Sequence, residues 1–161
     1  MIRKALKKDY PKILTLNQGD VEMLSPLDET ILTEMESISE IFNVYEKDGK
    51  VVGFIIVFKE GCDYWSDNYQ WFLKNCNDFI YIDRIVVDKN HRKENIAKIL
   101  YEDIFSYALK NNIKKVCAEI DIEPEYNYPS INFHKKMGFS EVATRLTKAK
   151  VTVSLQIRKI I

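Results

Sequence analysis

The sequence predicts an α/β protein of the α+β kind, a mixed central sheet of about six to seven strands flanked by about four helices. Three observations predict it. Residues 79–87 read Phe-Ile-Tyr-Ile-Asp-Arg-Ile-Val-Val, with β-branched and aromatic side chains directed to both faces of a strand. A helix follows, with Ile96, Leu100, Ile104 and Ala108 four apart on one stripe. Upstream, two β-type runs flank Lys47-Asp48-Gly49-Lys50, and Asp-Gly between such runs signals a hairpin.

The elements follow in order. Residues 2–6 form a short first strand. Asp9 is placed to cap a helix that carries Tyr10, Ile13 and Leu14 on one side. Residues 17–24 are polar and irregular. Ser25-Pro26-Leu27-Asp28 then starts a second helix, with Ser25 at the N-cap, Pro26 first, and Asp28 third, where its charge suits the dipole. Leu27, Ile31, Met35 and Ile38 follow on its buried face. The loop before it, with Asp20 and Glu22, either faces a substrate or simply leads into a packed helix. Residues 41–45 and 51–58 are the hairpin strands.

Residues 60–78 hold Tyr64, Trp65, Tyr69, Trp71 and Phe72 among polar neighbours. So aromatic a segment is not left bare in water. It is a short helix packed on the sheet edge, a lid over a ligand, or a dimer contact. After the central strand and helix, residues 115–122 form a strand with Val116, Ala118, Ile120 and Ile122 on one face and Glu119 and Asp121 on the other. Pro124 stops it. Residues 130–137 form a helix ended by Gly138. Residues 139–146 and 151–157 close the fold as an antiparallel pair. The order is β-α-α-β-β-β-α-β-α-β-β, read as one domain over residues 1–161.

Composition narrows the function. The 24 basic and 24 acidic residues cancel, which argues against a nucleic-acid binder. No apolar run approaches the roughly 20 residues of a membrane span. The first residues lack the apolar core of a signal peptide, which predicts a cytoplasmic protein. Cys62, Cys76 and Cys117 are odd in number and lack metal-site spacing, so reduced thiols and no metal are expected. Cys117, in an apolar strand, reads as a core residue.

The basic turn between the central strand and its helix carries the first chemical signal. A helix N-terminus offers unpaired N–H groups and the positive end of the helix dipole, which together attract phosphate. That suggests a nucleotide or coenzyme. Two segments then resemble one family: Val87-Asp-Lys-Asn-His-Arg92-Lys-Glu-Asn95-Ile-Ala97, and Asn127-Tyr-Pro-Ser130-Ile-Asn-Phe133-His134-Lys-Lys136-Met-Gly138-Phe139. The first parallels an Arg/Gln-x-x-Gly-x-Gly/Ala loop. The second is the more specific, with Asn127, Ser130, Phe133, Lys136, Gly138 and Phe139 in register. Together, and with the order of elements, they resemble the GNAT superfamily of N-acetyltransferases over nearly the whole chain.

The resemblance implies acetyl-CoA as co-substrate. It places the pantetheine arm along the backbone of Ile85, Val86 and Val87, which splays from its neighbour in that family. It places the pyrophosphate on the loop of Arg92, Lys93, Glu94, Asn95, Ile96, Ala97 and Lys98, and Asn127 against the pantetheine. Lys136 either reaches phosphate or lies on a solvated face. Asn95 departs from the family glycine. Asn is the next residue to tolerate positive φ, so the turn can survive. Glu94 is expected to face solvent, offset by Arg92 and Lys93.

His134 stands where the family has a tyrosine that protonates the departing thiolate. An imidazole, with an unperturbed pKa of about 6.5, suits such acid work, or it packs on a helix face. An ammonium must lose a proton before it attacks a thioester. Asp83 is the first candidate base, because it shares strand parity with Ile85 and Val87, as does Tyr81. Glu119 and Asp121 are alternatives, and any of these carboxylates can instead pair with Arg84 or a lysine.

The reading is an N-acetyltransferase acting on a primary amine, a small molecule before a protein, by direct attack on the thioester. Asp20, Glu22 and Asp83 favour a cationic amine. A homodimer is possible. The alternative readings are a non-catalytic acyl-CoA-binding or regulatory module and an oligomeric scaffold.

Overall fold

The computed structural model describes residues 1–20 and 24–161. Among them, seven strands form one mixed sheet in the order β1-β2-β3-β4-β5-β7-β6, and five helices accompany it. The strands are β1 (Ile2–Lys4), β2 (Ile41–Lys47), β3 (Lys50–Lys59), β4 (Phe79–Val87), β5 (Lys115–Glu123), β6 (Ser140–Leu146) and β7 (Thr152–Lys159). The helices are α1 (Tyr10–Gly19), α2 (Glu29–Ile38), α3 (Asp67–Asn75), α4 (Ile96–Lys110) and α5 (Tyr128–Lys136). The chain divides into two compact units, residues 1–58 with 82–103 and residues 59–81 with 104–161.

In the first unit, β1, β2 and β3 pair antiparallel, with Ile2 opposite Tyr45 and Val44 opposite Phe54. The β2–β3 turn uses positive φ at Asp48 (50°) and Gly49 (73°), as the Asp-Gly signal requires. β3 is buried along almost its whole length, which suits a central strand. Gly53 lies in a tight spot between β4 and α4. A Cβ there would lie 3.0 Å from the Val86 carbonyl oxygen and 3.5 Å from Ile96 Cγ2.

Two helix starts differ from the sequence reading. Asp9 does not cap α1. Its carboxylate accepts from the Leu6 N–H at 2.8 Å and the Arg3 guanidinium at 2.8 and 3.0 Å, because a 3₁₀ turn over Lys7–Asp9 precedes the helix. α1 also runs on to Gly19, so Asn17 is helical and buried. α2 begins at Glu29, not at Pro26. Asp28 is the cap and accepts from Ile31 N at 2.7 Å, while the Ser25 hydroxyl accepts from Arg84 instead. The buried positions of α2 are Leu32 and Met35; Leu27, Ile31 and Ile38 are half-buried.

In the second unit, β4 pairs in parallel with β5 over Phe79–Tyr81 and Lys115–Cys117. β7 inserts antiparallel between β5 and β6. The aromatic segment is a packed helix, the first of the three alternatives. α3 buries Tyr69 and Phe72, and these stack with Phe79 and Tyr81. The Tyr69 hydroxyl donates to the Lys59 carbonyl at 2.6 Å, so its ring is fixed at both ends. Cys117 is fully buried, and that burial pushes its thiol far up. The stripe of α4 lies in the core as read: Ile96, Leu100, Ile104 and Ala108 are all buried.

Replacing Gly53 with valine forces β3 away from Val86. We expect a loss of about 1–3 kcal/mol, read as a lowered urea midpoint with unchanged slope. An unchanged midpoint would show that the strands yield freely.

Candidate active site

The β4–α4 turn belongs to the first unit. β4 alternates, with Ile82, Arg84 and Val86 buried and Ile85 and Val87 half-exposed, while Asp83, at their parity, keeps its side chain buried. Asp83, Ile85 and Val87 thus share one face, as strand parity requires. Beyond Val87, Asp88 anchors the chain. Its N–H donates to the Val52 carbonyl at 2.8 Å, and its carboxylate accepts from Asn90 N at 3.0 Å and Lys12 Nζ at 3.1 Å. These partners hold its pKa below the usual carboxylate range.

The turn then closes on two left-handed residues, Lys93 with φ of 70° and Asn95 with φ of 62°. Asn95 therefore adopts the conformation for which the family uses glycine. Its carbonyl accepts the first helical bond, from Ile99 at 2.9 Å. The N–H groups of Ile96, Ala97 and Lys98 have no acceptor within the helix. The first turn carries no acid. Unpaired donors, a positive dipole end and Lys98 fit the pyrophosphate of a coenzyme.

Glu94 is exposed, but its compensation differs from the expectation. Lys47 pairs with it at 2.6 Å and His91 approaches at 3.3 Å, while Arg92 is bound to Asp20 at 2.9 Å. Lys47 holds the Glu94 carboxyl below its usual range. Sequence reasoning missed Lys47 because it lies 47 residues away, at the end of the hairpin.

Asp83 is already committed. Its side chain is 6% exposed and accepts from Arg84 Nε at 2.8 Å. Arg84, 5% exposed, also donates to Asn17 Oδ1 at 3.0 Å, the Ser25 carbonyl at 3.0 Å and Ser25 Oγ at 2.9 Å. An arginine at the buried parity of a strand was the available signal, since a buried guanidinium demands acceptors. Glu22 lies outside the described residues.

The second unit holds the other candidates. Glu119 accepts from the buried Tyr81 hydroxyl at 2.5 and 2.7 Å, so that carboxylate is also engaged. Asp121 differs. It is half-buried, burial raises its pKa, and among the described residues its carboxylate meets no cation. Its carbonyl accepts from Asn127 N at 3.1 Å, which ties the start of α5 to β5. Asn127 Oδ1 caps α5 by accepting from Ser130 N at 3.2 Å, so the helix begins at Tyr128, two residues before the sequence reading.

His134 is 4% exposed and packs edge-on against Phe133 and Phe139. Its Nδ1 lies 2.8 Å from the Ser130 carbonyl. A carbonyl only accepts, so the proton of the neutral ring sits on Nδ1. Burial lowers its pKa. A second proton, on Nε2, is therefore disfavoured near neutral pH, and acid work would draw on a minority form.

The comparisons with known proteins point the same way. The sequence profile of the acetyltransferase (GNAT) family matches residues 2–139. The chain belongs to this family. Its fold is shared by solved GNAT structures of low identity. Ard1 from Thermoplasma volcanium superposes with a TM-score of 0.81 at 20% identity, covering 100% of this chain and 97% of that one. The ribosomal-protein-S18-alanine N-acetyltransferase from Escherichia coli gives 0.75 at 16%, over 99% and 93%. An N-acetyltransferase from Staphylococcus aureus Mu50 gives 0.74 at 22%, over 100% and 98%. No curated protein is detectably similar in sequence. As a GNAT protein, the chain is an acetyl-CoA-dependent acyltransferase. Among the described residues no cluster of His, Cys, Asp and Glu could hold a metal ion, and no helix is long and apolar enough to cross a membrane.

Two outcomes test this geometry. Asn95→Gly should keep CoA affinity within about twofold, while Asn95→Val, strained at positive φ by about 1–3 kcal/mol, should lose at least tenfold by calorimetry. Equal affinities would remove the turn from the coenzyme site. For His134, the folded pKa is depressed, so protonation favours the unfolded chain. Its stabilising contribution is complete above the unfolded value of about 6.5 and is lost as pH falls towards the folded pKa. The stability gap between the wild type and His134→Gln should narrow from pH 7.5 to 5. A gap that widens would contradict the neutral buried ring.

Proposed function

We propose that this chain transfers the acetyl group of acetyl-CoA to the primary amine of a small molecule by direct attack on the thioester. Acetyl-CoA, when bound, supplies the activated acyl group. Backbone groups of Ile85, Val86 and Val87 are assigned the pantetheine arm. The N–H groups from Lys93 to Lys98 are assigned the pyrophosphate, with Arg92 beside them. Asn127 contributes its amide NH₂.

Asp121 is the base in this reading, in place of Asp83. The observation that carries it is the contrast between the acids. Asp83 and Glu119 are bound to Arg84 and Tyr81, whereas Asp121 is desolvated and meets no cation among the described residues. Desolvation makes a carboxylate a stronger base, which is what an ammonium at neutral pH requires. As the C–N bond forms and the C–S bond breaks, Asp121 takes the amine's proton, directly or through water. His134 stands on the thiolate side. Its lowered pKa makes its imidazolium a stronger acid and a rarer one, so its contribution should fade as pH rises.

A thiol-release assay with polyamines, amino acids, aminosugars and short peptides tests the function. Asp121→Asn should lower kcat/KM about 100-fold or more while leaving acetyl-CoA affinity unchanged. Unchanged turnover would dismiss Asp121. Activity confined to peptides would overturn the small-molecule assignment, and no thiol release with any amine would favour a regulatory module.

A further inference from the structure

Arg92 and Asp20 join two segments whose charges serve different ligands. Arg92 lies in the turn before α4, and its guanidinium, with a half-exposed side chain, donates to Asp20 Oδ1 at 2.9 Å. Asp20 closes α1, with its N–H bonded to the carbonyls of Asn17 and Gln18. The residues around Asp20 are held independently of Arg92. The buried Arg84 binds Asn17 Oδ1 and both oxygens of Ser25, and Asn17 Nδ2 donates to the Ser25 carbonyl at 3.1 Å. These contacts of Asn17 and Ser25 do not involve Arg92.

We propose that Asp20 is the carboxylate that binds a cationic acceptor amine, and that Arg92 masks it until coenzyme phosphate draws the guanidinium away. This rests on the coenzyme site proposed above. Arg92 is the mobile partner, on a long flexible stem. A pyrophosphate carries two negative charges where the Asp20 carboxylate carries one, and it matches the guanidinium fork equally well. The departure of Arg92 leaves the Asp20 carboxylate without this cation. The acceptor class that follows is an amine carrying a second positive charge, one to bind and one to be deprotonated.

Calorimetry tests it with CoA and with 1,4-diaminobutane as the probe. In the wild type at low salt Arg92 must leave Asp20 before it reaches phosphate, so Asp20→Asn should tighten CoA binding about two- to fivefold, the range of an exposed ion pair. In an Arg92→Ala background the same change should have no effect. The diamine should bind the CoA-loaded protein more tightly than the free protein, and Asp20→Asn should erase that difference. CoA affinity unchanged or weakened by Asp20→Asn, or a diamine affinity indifferent to CoA, would overturn the proposal. A wild type that binds no CoA would instead remove the coenzyme site itself.

Discussion

The bend from β4 into α4 is the constraint on which the first unit depends. Within three positions of this bend, two residues are left-handed. Lys93 and Asn95 bear that conformation without a glycine. The cost is met by what surrounds them: Asp88 fixes the entry through Val52, Asn90 and Lys12, and Lys47 holds Glu94 in between. On the other side of the bend, Gly53 lets β3 approach Val86 closely enough to bring Ile96, the first residue of α4, against the sheet. The helix N-terminus is aimed by these contacts, and with it the row of donors that a phosphate can use.

Arg84 imposes a comparable constraint earlier in the same strand. A guanidinium at the buried parity of β4 is costly unless its donors are met. Here they are met by Asp83, Asn17 and two oxygens of Ser25. The oxygens of Asn17 and Ser25 are drawn to one buried guanidinium, so the network ties the chain at both Asn17 and Ser25 to β4. This also explains why Ser25 does not cap α2. Its hydroxyl accepts from Arg84, and the cap passes to Asp28, where an extended backbone lets the carboxylate reach Ile31 N.

Much of the fold was legible in the sequence, for identifiable reasons. The β2–β3 hairpin announced itself by Asp48-Gly49, the α4 stripe by four-residue spacing, and the end of α5 by Gly138, which takes a φ of 87°. Each of these is a local signal with a single physical reading. The misread starts of α1 and α2 are different. A capping residue competes with every other donor that can reach it: Arg84 lies 59 residues from Ser25, and Arg3, though only six residues before Asp9, reaches it across the turn between β1 and α1. The aromatic segment was undecided because burial of Tyr69 and Phe72 depends on β4 rings that no spacing within residues 60–78 can reveal. For the candidate site, the positive φ at Asn95 was readable because Asn enters the left-handed region more easily than other non-glycine residues. The environments of the carboxylates were not.

Those environments show how a fold sorts identical groups. Asp83 and Asp121 lie on different strands with the same side chain and the same intrinsic acidity. Asp83 has a guanidinium as its covalent neighbour in sequence, and the strand lets Arg84 fold back upon it, so its charge is spent on structure. Asp121 is half withdrawn from water without receiving a cation among the described residues, so part of its hydration is lost and protonation is made easier. The same burial acts in the opposite direction on His134, where it disfavours the added proton. Within one unit, a carboxylate is made readier to take a proton and an imidazole readier to give one up. In the reaction proposed above, these opposite tendencies suit a base that takes a proton from the amine and an acid that gives one to the departing thiolate.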